Sequence, residues 1–376
     1  MLKIIARIIP VIIWSLVLGC GRHSDNTDDC PVITINQSDI VEKIDLADVS
    51  DSNLVFKPET TDASLISRIC RVWHYKSCVY ILDSSYQLLV FSETGKYLWK
   101  LDKRGSGPGE YSRLMDFAID PTHDQLLLLC YDKILRYDLN GNYIDNVKTD
   151  DGYEISADGK YAYIKSFDQA NGETIPFSLK IIDLKSLTVA DALPAVTDCA
   201  PSCMSKMQML TFSGGKVLFS RKFDSKIYSL SDDSESAVFN INWGECAFPN
   251  TSDKKYDCEE FFKLSSENNY IYSIGDIIMS DSLCFFKTNL NSYGLIDRTG
   301  NTMKVAKRVT DTRLFPDMPI PLKLIPVDGD LPEIAAVITP SSAKFFALKC
   351  KDSNIANILE TMDKEDNPVL ILSVLK

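Results

Sequence analysis

Residues 79–96, VYILDSSYQLLVFSETGK, decide the fold class. Two short apolar runs, 79–82 and 88–91, are separated by a polar turn, and a second turn follows at 93–96. Short runs rich in aromatic and aliphatic residues, bounded by turn residues, are typical of antiparallel β-strands. Gly95 favours a tight turn because glycine adopts positive φ without a steric penalty. The stretch predicts consecutive hairpins in an all-β chain.

The same pair of strands recurs along the chain. The residues that end the second strand of each repeat are Phe91, Tyr137, Ile182, Tyr228 and Ile296. The steps between them are 46, 45, 46 and 68 residues. One four-stranded blade of a β-propeller takes about 40–50 residues. The regular steps therefore predict a β-propeller built of four-stranded antiparallel blades.

Five blades are visible in this pattern, and we expect a sixth to be built from both chain ends. The terminal strand is 367–375, and apolar runs at 32–35 and 41–46 are candidates to pair with it. Closing the ring in this way removes exposed sheet edges. The long fourth step indicates a small helical insertion at 256–269, and helical spacing predicts short helices within 341–362. The proline-rich segment 315–332 is expected to be irregular.

The N-terminus has the pattern of a targeting segment. Lys3 and Arg7 precede an apolar run from 8 to 18, the order typical of a signal peptide. The run ends in Leu-Val-Leu-Gly-Cys at 16–20, which resembles the bacterial lipobox. The alternative is an ordinary secretory signal that contains a cysteine. We expect a signal peptide at 1–19, a lipidated Cys20 with a flexible tether at 20–30, and the propeller at 31–376.

Composition argues against a nucleic-acid partner. The 376 residues include 40 Lys and Arg against 52 Asp and Glu, a formal net charge of −12. Removing 1–19 removes two basic residues and leaves a charge of about −14. Such a chain repels phosphate backbones.

Ten cysteines remain besides Cys20, and an even number in an exported chain permits disulfides. With a turn placed at His74, Cys70 and Cys78 are expected to face each other across a hairpin. Cys130 and Cys284 lie within apolar strand patterns and are expected to be buried thiols. Two further pairs share predicted loops: Cys199 with Cys203, and Cys246 with Cys258.

Several short motifs carry a family resemblance. They are Ile81-Leu82-Asp83, Val90-Phe91, Gly95-Lys96, the stretch GSGPGEY at 105–111, and DNPVL at 366–370. With these motifs the chain resembles the NHL-like six-bladed β-propeller lipoproteins of Bacteroides and relatives. The resemblance implies the fold and a place in the cell envelope, lipid-anchored at the outer membrane. It implies little chemistry.

The glycine-rich stretch is the candidate ligand loop. Its candidate residues are Lys103, Arg104, Gly105, Gly107, Gly109, Glu110, Tyr111 and Arg113. Glycine-rich loops can point backbone N–H groups at anions, but this one lacks the Gly-Lys-Ser/Thr ending of a P-loop. The alternative is a tight connection between the first two blades, held by Glu110 and Tyr111.

No catalytic residue, metal ligand or required cofactor is predicted. The histidines are only His23, His74 and His123, too few for a multi-histidine zinc site. Calcium is the one candidate ion, at 232–233 or 328–330, where the alternative is an acidic surface turn. Trp73, Trp99 and Trp243 suggest carbohydrate stacking, and the alternative is packing within blades.

The leading hypothesis is therefore a binding or scaffold module of the cell envelope. Its expected partners are the membrane, through the lipid anchor, and an outer-membrane protein, glycan or peptide, with no nucleic acid. The alternative hypothesis is a carboxylate- or calcium-dependent propeller enzyme, lyase- or lactonase-like, that acts in the central channel.

Overall fold

A computed structural model describes residues 30–149, 152–166, 169–170, 173–174, 177–194, 207–231, 234–249, 257–316, 318 and 322–376. The predicted signal peptide, Cys20 and nearly all of the predicted tether lie outside these residues. None of the helices within this part of the chain is long and apolar enough to span a bilayer.

The N-terminal segment contributes short elements before the repeats begin. They are β1 (Val32–Thr34), a 3₁₀ turn (Gln37–Asp39), β2 (Ile44–Asp45), α1 (Leu46–Val49) and β3 (Ser50–Phe56). Asp45 caps α1, because its carboxylate accepts a 3.1 Å hydrogen bond from the Ala47 N–H.

The described strands then form six antiparallel units of four strands. Unit I contains β4 (Ile69–Tyr75), β5 (Cys78–Asp83), β6 (Leu88–Ser92) and β7 (Tyr97–Leu101). Unit II contains β8 (Leu114–Asp120), β9 (Gln125–Cys130), β10 (Lys133–Asp138) and β11 (Tyr143–Lys148).

Units III and IV follow the same order. Unit III contains β12 (Gly152–Ala157), β13 (Tyr161–Ser166), β16 (Phe177–Asp183) and β17 (Thr188–Pro194), with a small hairpin of β14 (Gln169–Ala170) and β15 (Glu173–Thr174) between its second and third strands. Unit IV contains β18 (Leu210–Ser213), β19 (Lys216–Ser220), β20 (Lys226–Ser231) and β21 (Ser234–Asn242).

Helices lie in the connections between some of the later strands. A 3₁₀ turn (Gly244–Cys246) and α2 (Cys258–Asn268) precede unit V, which contains β22 (Ile274–Met279), β23 (Leu283–Thr288), β24 (Tyr293–Asp297) and β25 (Thr302–Ala306). The short β26 (Val309–Thr310) pairs with β2. Unit VI contains β27 (Leu324–Gly329), β28 (Glu333–Ile338), α3 (Pro340–Lys349), α4 (Ser353–Glu360), β29 (Val369–Leu375) and, as its fourth strand, β3.

Unit VI joins the two ends of the chain. Leu370 of β29 lies opposite Phe56 of β3, and Ile371 lies opposite Val55. The expectation of a shared sheet is met, but by 50–56 and not by the predicted runs. The predicted run 32–35 contains β1, which instead pairs in parallel with β21 at the edge of unit IV.

Other sequence predictions can now be compared with the fold. The insertion at 256–269 contains α2, and 341–362 contains α4 and most of α3, so both helical predictions are confirmed. The prediction that all of 315–332 is irregular is wrong, because β27 lies within it. Pro326 is tolerated there because β27 is the first strand of its unit and pairs antiparallel along only one side.

The predicted hairpin turn at His74 is wrong by two residues. His74 lies in β4, and the turn is formed by Lys76 and Ser77, both at positive φ. Cys78 therefore lies opposite Tyr75, far along the strand from Cys70, and both cysteines are free thiols. The expectation that Cys70 and Cys78 face each other across the hairpin is wrong.

The connections of each unit fall at two ends. The first and second strands are joined at the turn face by two to four residues, for example 76–77, 121–124 and 214–215. The second and third strands, and successive units, are joined at the other end, the loop face. Long described connections at the loop face include 57–68, 102–113 and 339–368.

The first strands lie innermost and contact one another in chain order, from β4 through β8, β12, β18 and β22 to β27, which contacts β4. Unit VI also packs on unit I through apolar side chains, where Val327 and Leu372 cluster with Leu89 and Phe91. Between the two units, β27 pairs in parallel with β4, so that Gly329 lies beside His74.

Gly329 permits this close approach. A Cβ atom at Gly329 would lie 2.5 Å from the carbonyl oxygen of His74, and that oxygen belongs to backbone that cannot rotate away. We expect Gly329→Ala to lower the free energy of unfolding by about 1–3 kcal/mol, the usual cost of overpacking. Gly300→Ala is the matched control, because its Cβ would meet nothing closer than 3.6 Å. Urea denaturation measures both, and equal losses would contradict the role given to Gly329.

Candidate functional site: a charge cluster on the inner strands

Five charged residues lie on the first strands of five different units. They are Arg71 on β4, Asp116 on β8, Glu154 on β12, Asp276 on β22 and Asp328 on β27. Asp276 is partly buried and the other four are buried; Arg71 is only 2% exposed. We call this set the inner-strand cluster. Charged groups are almost never so fully buried unless they are paired, so their partners decide what the cluster does.

Local backbone irregularities direct these side chains. The pairing register of the first strand shifts immediately before Arg71, Asp116 and Glu154. Asp276 lies inside the corresponding shift of β22 and has a positive φ of 51°. Such β-bulges re-aim a side chain that would otherwise follow the alternation of the strand.

Arg71 is the centre of the cluster. Its Nε and Nη2 donate to the two carboxylate oxygens of Asp328 at 2.9 and 3.1 Å, and its Nη1 donates to Asp116 at 2.5 Å. Nη2 also donates to the carbonyl oxygen of Leu210 at 3.1 Å. A planar guanidinium suits this forked arrangement. One side chain therefore links units I, II, IV and VI.

The carboxylates also accept hydrogen bonds from the backbone of neighbouring strands. Asp116 accepts the Ile155 N–H at 2.8 Å. Glu154 accepts the N–H groups of Met209 and Leu210 at 2.8 and 2.9 Å. These bonds join unit II to unit III, and unit III to the entry of unit IV.

The two remaining carboxylates contact unit IV in the same way. Asp328 accepts the Phe212 N–H at 2.5 Å, and Asp276 accepts the Gln208 N–H at 2.7 Å. Asp276 returns a backbone hydrogen bond to the Gln208 carbonyl at 2.6 Å. The inner-strand cluster thus holds the six first strands together by side chain-to-backbone contacts.

Burial dominates the protonation of the cluster. Desolvation raises the pKa of Asp116 to about 6 and that of Glu154 to about 8, although Arg71 opposes both shifts. Desolvation also raises the pKa of Asp276 to about 6 and that of Asp328 above its ordinary value. Burial alone would lower the pKa of Arg71, but the carboxylates of Asp116 and Asp328 overcome this and keep it charged.

Removing the central cation leaves Asp116 and Asp328 buried without their partner. We expect Arg71→Met to lower the free energy of unfolding by about 3–5 kcal/mol, as when one member of a buried ion pair is lost. Arg71→Lys keeps the charge but not the fork, and is expected to lose less. Urea denaturation measures both variants.

The matched control is Arg104→Met. The Arg104 side chain is 53% exposed and pairs with Asp102 at 3.0 Å. Exposed pairs contribute about 1 kcal/mol or less. If Arg71→Met cost no more than Arg104→Met, the cluster would not be what joins the units.

The raised pKa of Glu154 predicts a pH dependence. Between its ordinary pKa of 4.5 and about 8, the folded protein keeps a proton on Glu154 that the unfolded chain releases. This contribution to stability is present at low pH and is lost as the pH rises through about 8. Glu154→Gln mimics the protonated form and can still accept from Met209 and Leu210.

We therefore expect the stability of Glu154→Gln, relative to the unsubstituted protein, to rise by more than about 1 kcal/mol between pH 5 and pH 8. Thermal unfolding at a series of pH values measures the difference. Glu259→Gln, an exposed position on α2, is the control and should show little change, because solvent screens its charge. A flat difference for Glu154→Gln would show that Glu154 is ionised in the folded protein throughout.

The predicted ligand loop is a compact connection between units I and II at the loop face. The Gly105 N–H donates to the Tyr111 carbonyl at 3.1 Å, and the Tyr111 N–H donates to the Lys103 carbonyl at 3.0 Å. Glu110 accepts the Gly107 N–H at 2.8 Å, and a Cβ at Gly105 would lie 2.0 Å from the Glu110 carboxylate. Tyr111 is buried and its hydroxyl donates to the carbonyl of Tyr86 at 3.0 Å.

The rest of the loop is held by side chains around it. Gly109 has a φ of +73° and its carbonyl accepts from the Tyr137 hydroxyl. The Lys103 ammonium lies 5.2 Å from the centre of the Tyr137 ring, and the Arg113 guanidinium lies 5.5 Å from that of Tyr86. These contacts are those of the tight-connection alternative. Lys103, Arg104 and Arg113 are all exposed, and ligand binding by the loop stays a prediction.

The structure also shows the positions of His74, His123 and the candidate calcium turn at 328–330. His74 Nδ1 lies 2.8 Å from Glu333, whose hydrogen bond raises the pKa of His74. His123 lies in a turn, 2.8 Å from Asp120. The acidic surface turn expected at 328–330 is wrong for Asp328, which is buried against Arg71. Within the described residues, no three His, Cys, Asp or Glu are placed to hold a metal ion.

The tryptophans pack in the core, and two of them contact another unit. Trp73 is fully buried and stacks on Phe212 at 5.2 Å, and Trp243 is buried with its ring 6.2 Å from Phe286. Trp99 is partly buried against the core of units I to IV. Cys130 and Cys284 are buried free thiols, as predicted, while Cys199 and Cys203 lie outside the described residues.

Comparison with known proteins supports the same architecture. The family model described as a domain of unknown function, DUF4934, matches residues 30–373. No match is found among the curated proteins. A solved protein of Bacteroides fragilis assigned as exported aligns with a TM-score of 0.68 at 18% identity, covering 92% of this chain and 99% of its own.

Two further solved structures align over much of the chain. A member of the DUF4221 family from Bacteroides vulgatus gives a TM-score of 0.50 at 8% identity, covering 87% of this chain and 97% of its own. The WD40 β-propeller domain of Doa1 gives 0.36 at 13% identity, over 68% and 71% of the two chains, a likeness too low to argue from. The chain has a mostly-β, propeller-like fold and belongs to the DUF4934 family.

Proposed function

We propose that the protein is an exported binding or scaffold module of the cell envelope that meets its partner at the loop face. The observation that carries this proposal is the contrast between the two faces: the turn face has connections of two to four residues, and the loop face carries the long ones. Binding residues are concentrated on loops that a rigid scaffold positions. The inner-strand cluster supplies the rigidity.

We infer that the six units are the blades of a closed six-bladed propeller of the NHL-like kind. The pairing of β3 with β29 and the contact of β27 with β4 support closure by both chain ends. Sequence motifs at both ends support the same family. Asn367 of the terminal motif is buried, and its amide nitrogen donates to the carbonyls of Glu59 and Ser64 at 2.9 Å each.

Export and lipid anchoring at Cys20 belong to the same proposal. The Bacteroides fragilis neighbour is assigned as exported, and the first nineteen residues have the pattern of a signal peptide. The described chain begins beside β1 on the edge of unit IV. Cys30 lies ten positions after Cys20, which allows a reach of about 35 Å when extended. The anchored membrane would be the outer membrane, at its periplasmic face or the cell surface.

The partner would be an outer-membrane protein, a glycan or a peptide, with the connection at 103–113 among the surfaces it meets. No cofactor is proposed. The alternative, a carboxylate- or calcium-dependent enzyme acting in the channel, is favoured only by the convergence of four carboxylates on the inner strands. Those carboxylates already accept from Arg71 or from backbone N–H groups, which is why binding is the leading proposal.

Site-specific cross-linking in the native cell tests the loop face. A photo-crosslinking amino acid replaces Arg104 on the loop face or Lys76 on the turn face, two side chains of similar exposure, 53% and 56%. We expect one partner to be captured in stoichiometric amount from position 104 and not from position 76. Mass spectrometry of the adducts identifies it.

Other outcomes discriminate between the proposals. Equal capture from both positions, or capture from position 76 alone, would overturn the assignment of the loop face. Turnover of an envelope peptide, lactone or glycan by the purified protein, lost in Glu154→Gln with the fold retained, would instead establish the enzyme.

A further inference from the structure

Helix α3 presents an apolar ridge to solvent on the loop face. Leu348 is 84% exposed and Phe345 is 37% exposed. The opposite side of the helix is buried through Ala343 and Phe346, and the Phe346 ring packs edge-on against Phe315 at 5.2 Å. One side of the helix is therefore packed against the rest of the fold, and the other side faces solvent.

Lysines flank this ridge on both sides. At about 100° per residue, Phe345 and Leu348 lie opposite the buried side, with Lys344 and Lys349 about 70° to either side of them. All four side chains are therefore part of one surface. An apolar strip with a cation along each margin is the arrangement by which helices lie on bilayers, the lysine stems extending toward the head groups.

The charge of this segment departs from that of the chain. The chain has a net charge of −12, yet residues 334–351 contain three lysines and no acidic residue. None of these three lysines forms an ion pair with another described residue. The next acidic residue, Asp352, is engaged as the N-cap of α4, where it accepts from the N–H groups of Asn354 and Ile355 at 2.9 and 3.0 Å.

We propose that the ridge of α3, formed by Lys344, Phe345, Leu348 and Lys349, lies on an anionic lipid surface. The two lysines form no ion pair with any residue that the structure describes, and the apolar side chains lie between them, which fits a layer of negative head groups over an apolar interior. Because α3 leaves the end of β28 at the loop face, this contact turns the loop face toward the bilayer. The proposed lipid contact does not depend on the identity of the binding partner, so either proposal can fail while the other holds.

Trace labelling of lysines by an amine-reactive reagent tests the contact on the full-length protein. Vesicles of phosphatidylcholine with phosphatidylglycerol are compared with vesicles of phosphatidylcholine alone. We expect the anionic vesicles to slow labelling of Lys344 and Lys349 about fivefold or more, an effect that high salt removes. Lys96, exposed on the turn face, is the internal reference and should keep its rate.

Variants separate insertion from simple attraction. The double variant Phe345→Ser, Leu348→Ser should lose the protection. Because Phe345 is only 37% exposed and its ring lies 6.3 Å from that of Phe346, Leu348→Ser alone, at a position 84% exposed, is the variant expected to reduce the protection at unchanged thermal stability. Leu331→Ser, an exposed leucine on the turn face, is the matched control and should keep the protection. Equal protection by neutral vesicles, equal protection of Lys96, or protection unchanged in the double variant would each overturn the proposal. Protection that required a second protein would show the ridge to be a protein contact.

Discussion

The fold depends on a buried guanidinium. Arg71 lies where the first strands meet and satisfies two carboxylates from other units as well as a backbone carbonyl. Taking these charges out of water is costly, and only near-complete pairing offsets that cost. An apolar core of the same shape would pack without fixing which strand lies beside which. A core that contains these charges tolerates few arrangements of the strands, because each misplaced strand would leave a buried charge unpaired.

The consequence for function follows from the same contacts. Sheets whose first strands are linked by buried hydrogen bonds hold a fixed arrangement, so the parts free to vary are the connections that project from them. The long connections and the helices α2 to α4 lie at one end, whereas the connections at the other end are only two to four residues long. The rigid first strands and the long connections are thereby separated along the direction of the strands.

The repeat was predictable from sequence because each hairpin contains an apolar run, a turn with glycine or a polar residue, and a second run. The strand β3 was not, since its sequence SDSNLVF is mostly polar and its identity depends on a partner some three hundred residues away. The inner-strand cluster was missed for a related reason. Arg71, Asp116 and Asp328 each interrupt a mostly apolar strand, and that recurrence was the available signal. Which charge meets which is decided only by the packing of the first strands against one another.

Both ends of the chain meet in unit VI, and this has a consequence for how the protein is made. The strand β3 lies near the N-terminus and pairs with β29, so it has no partner in its sheet until β29 has been synthesised. Non-local pairing of this kind makes folding slow and leaves a bare strand edge in the meantime. A chain truncated anywhere before β29 therefore keeps β3 as an unpaired strand edge, which proteases and chaperones can recognise.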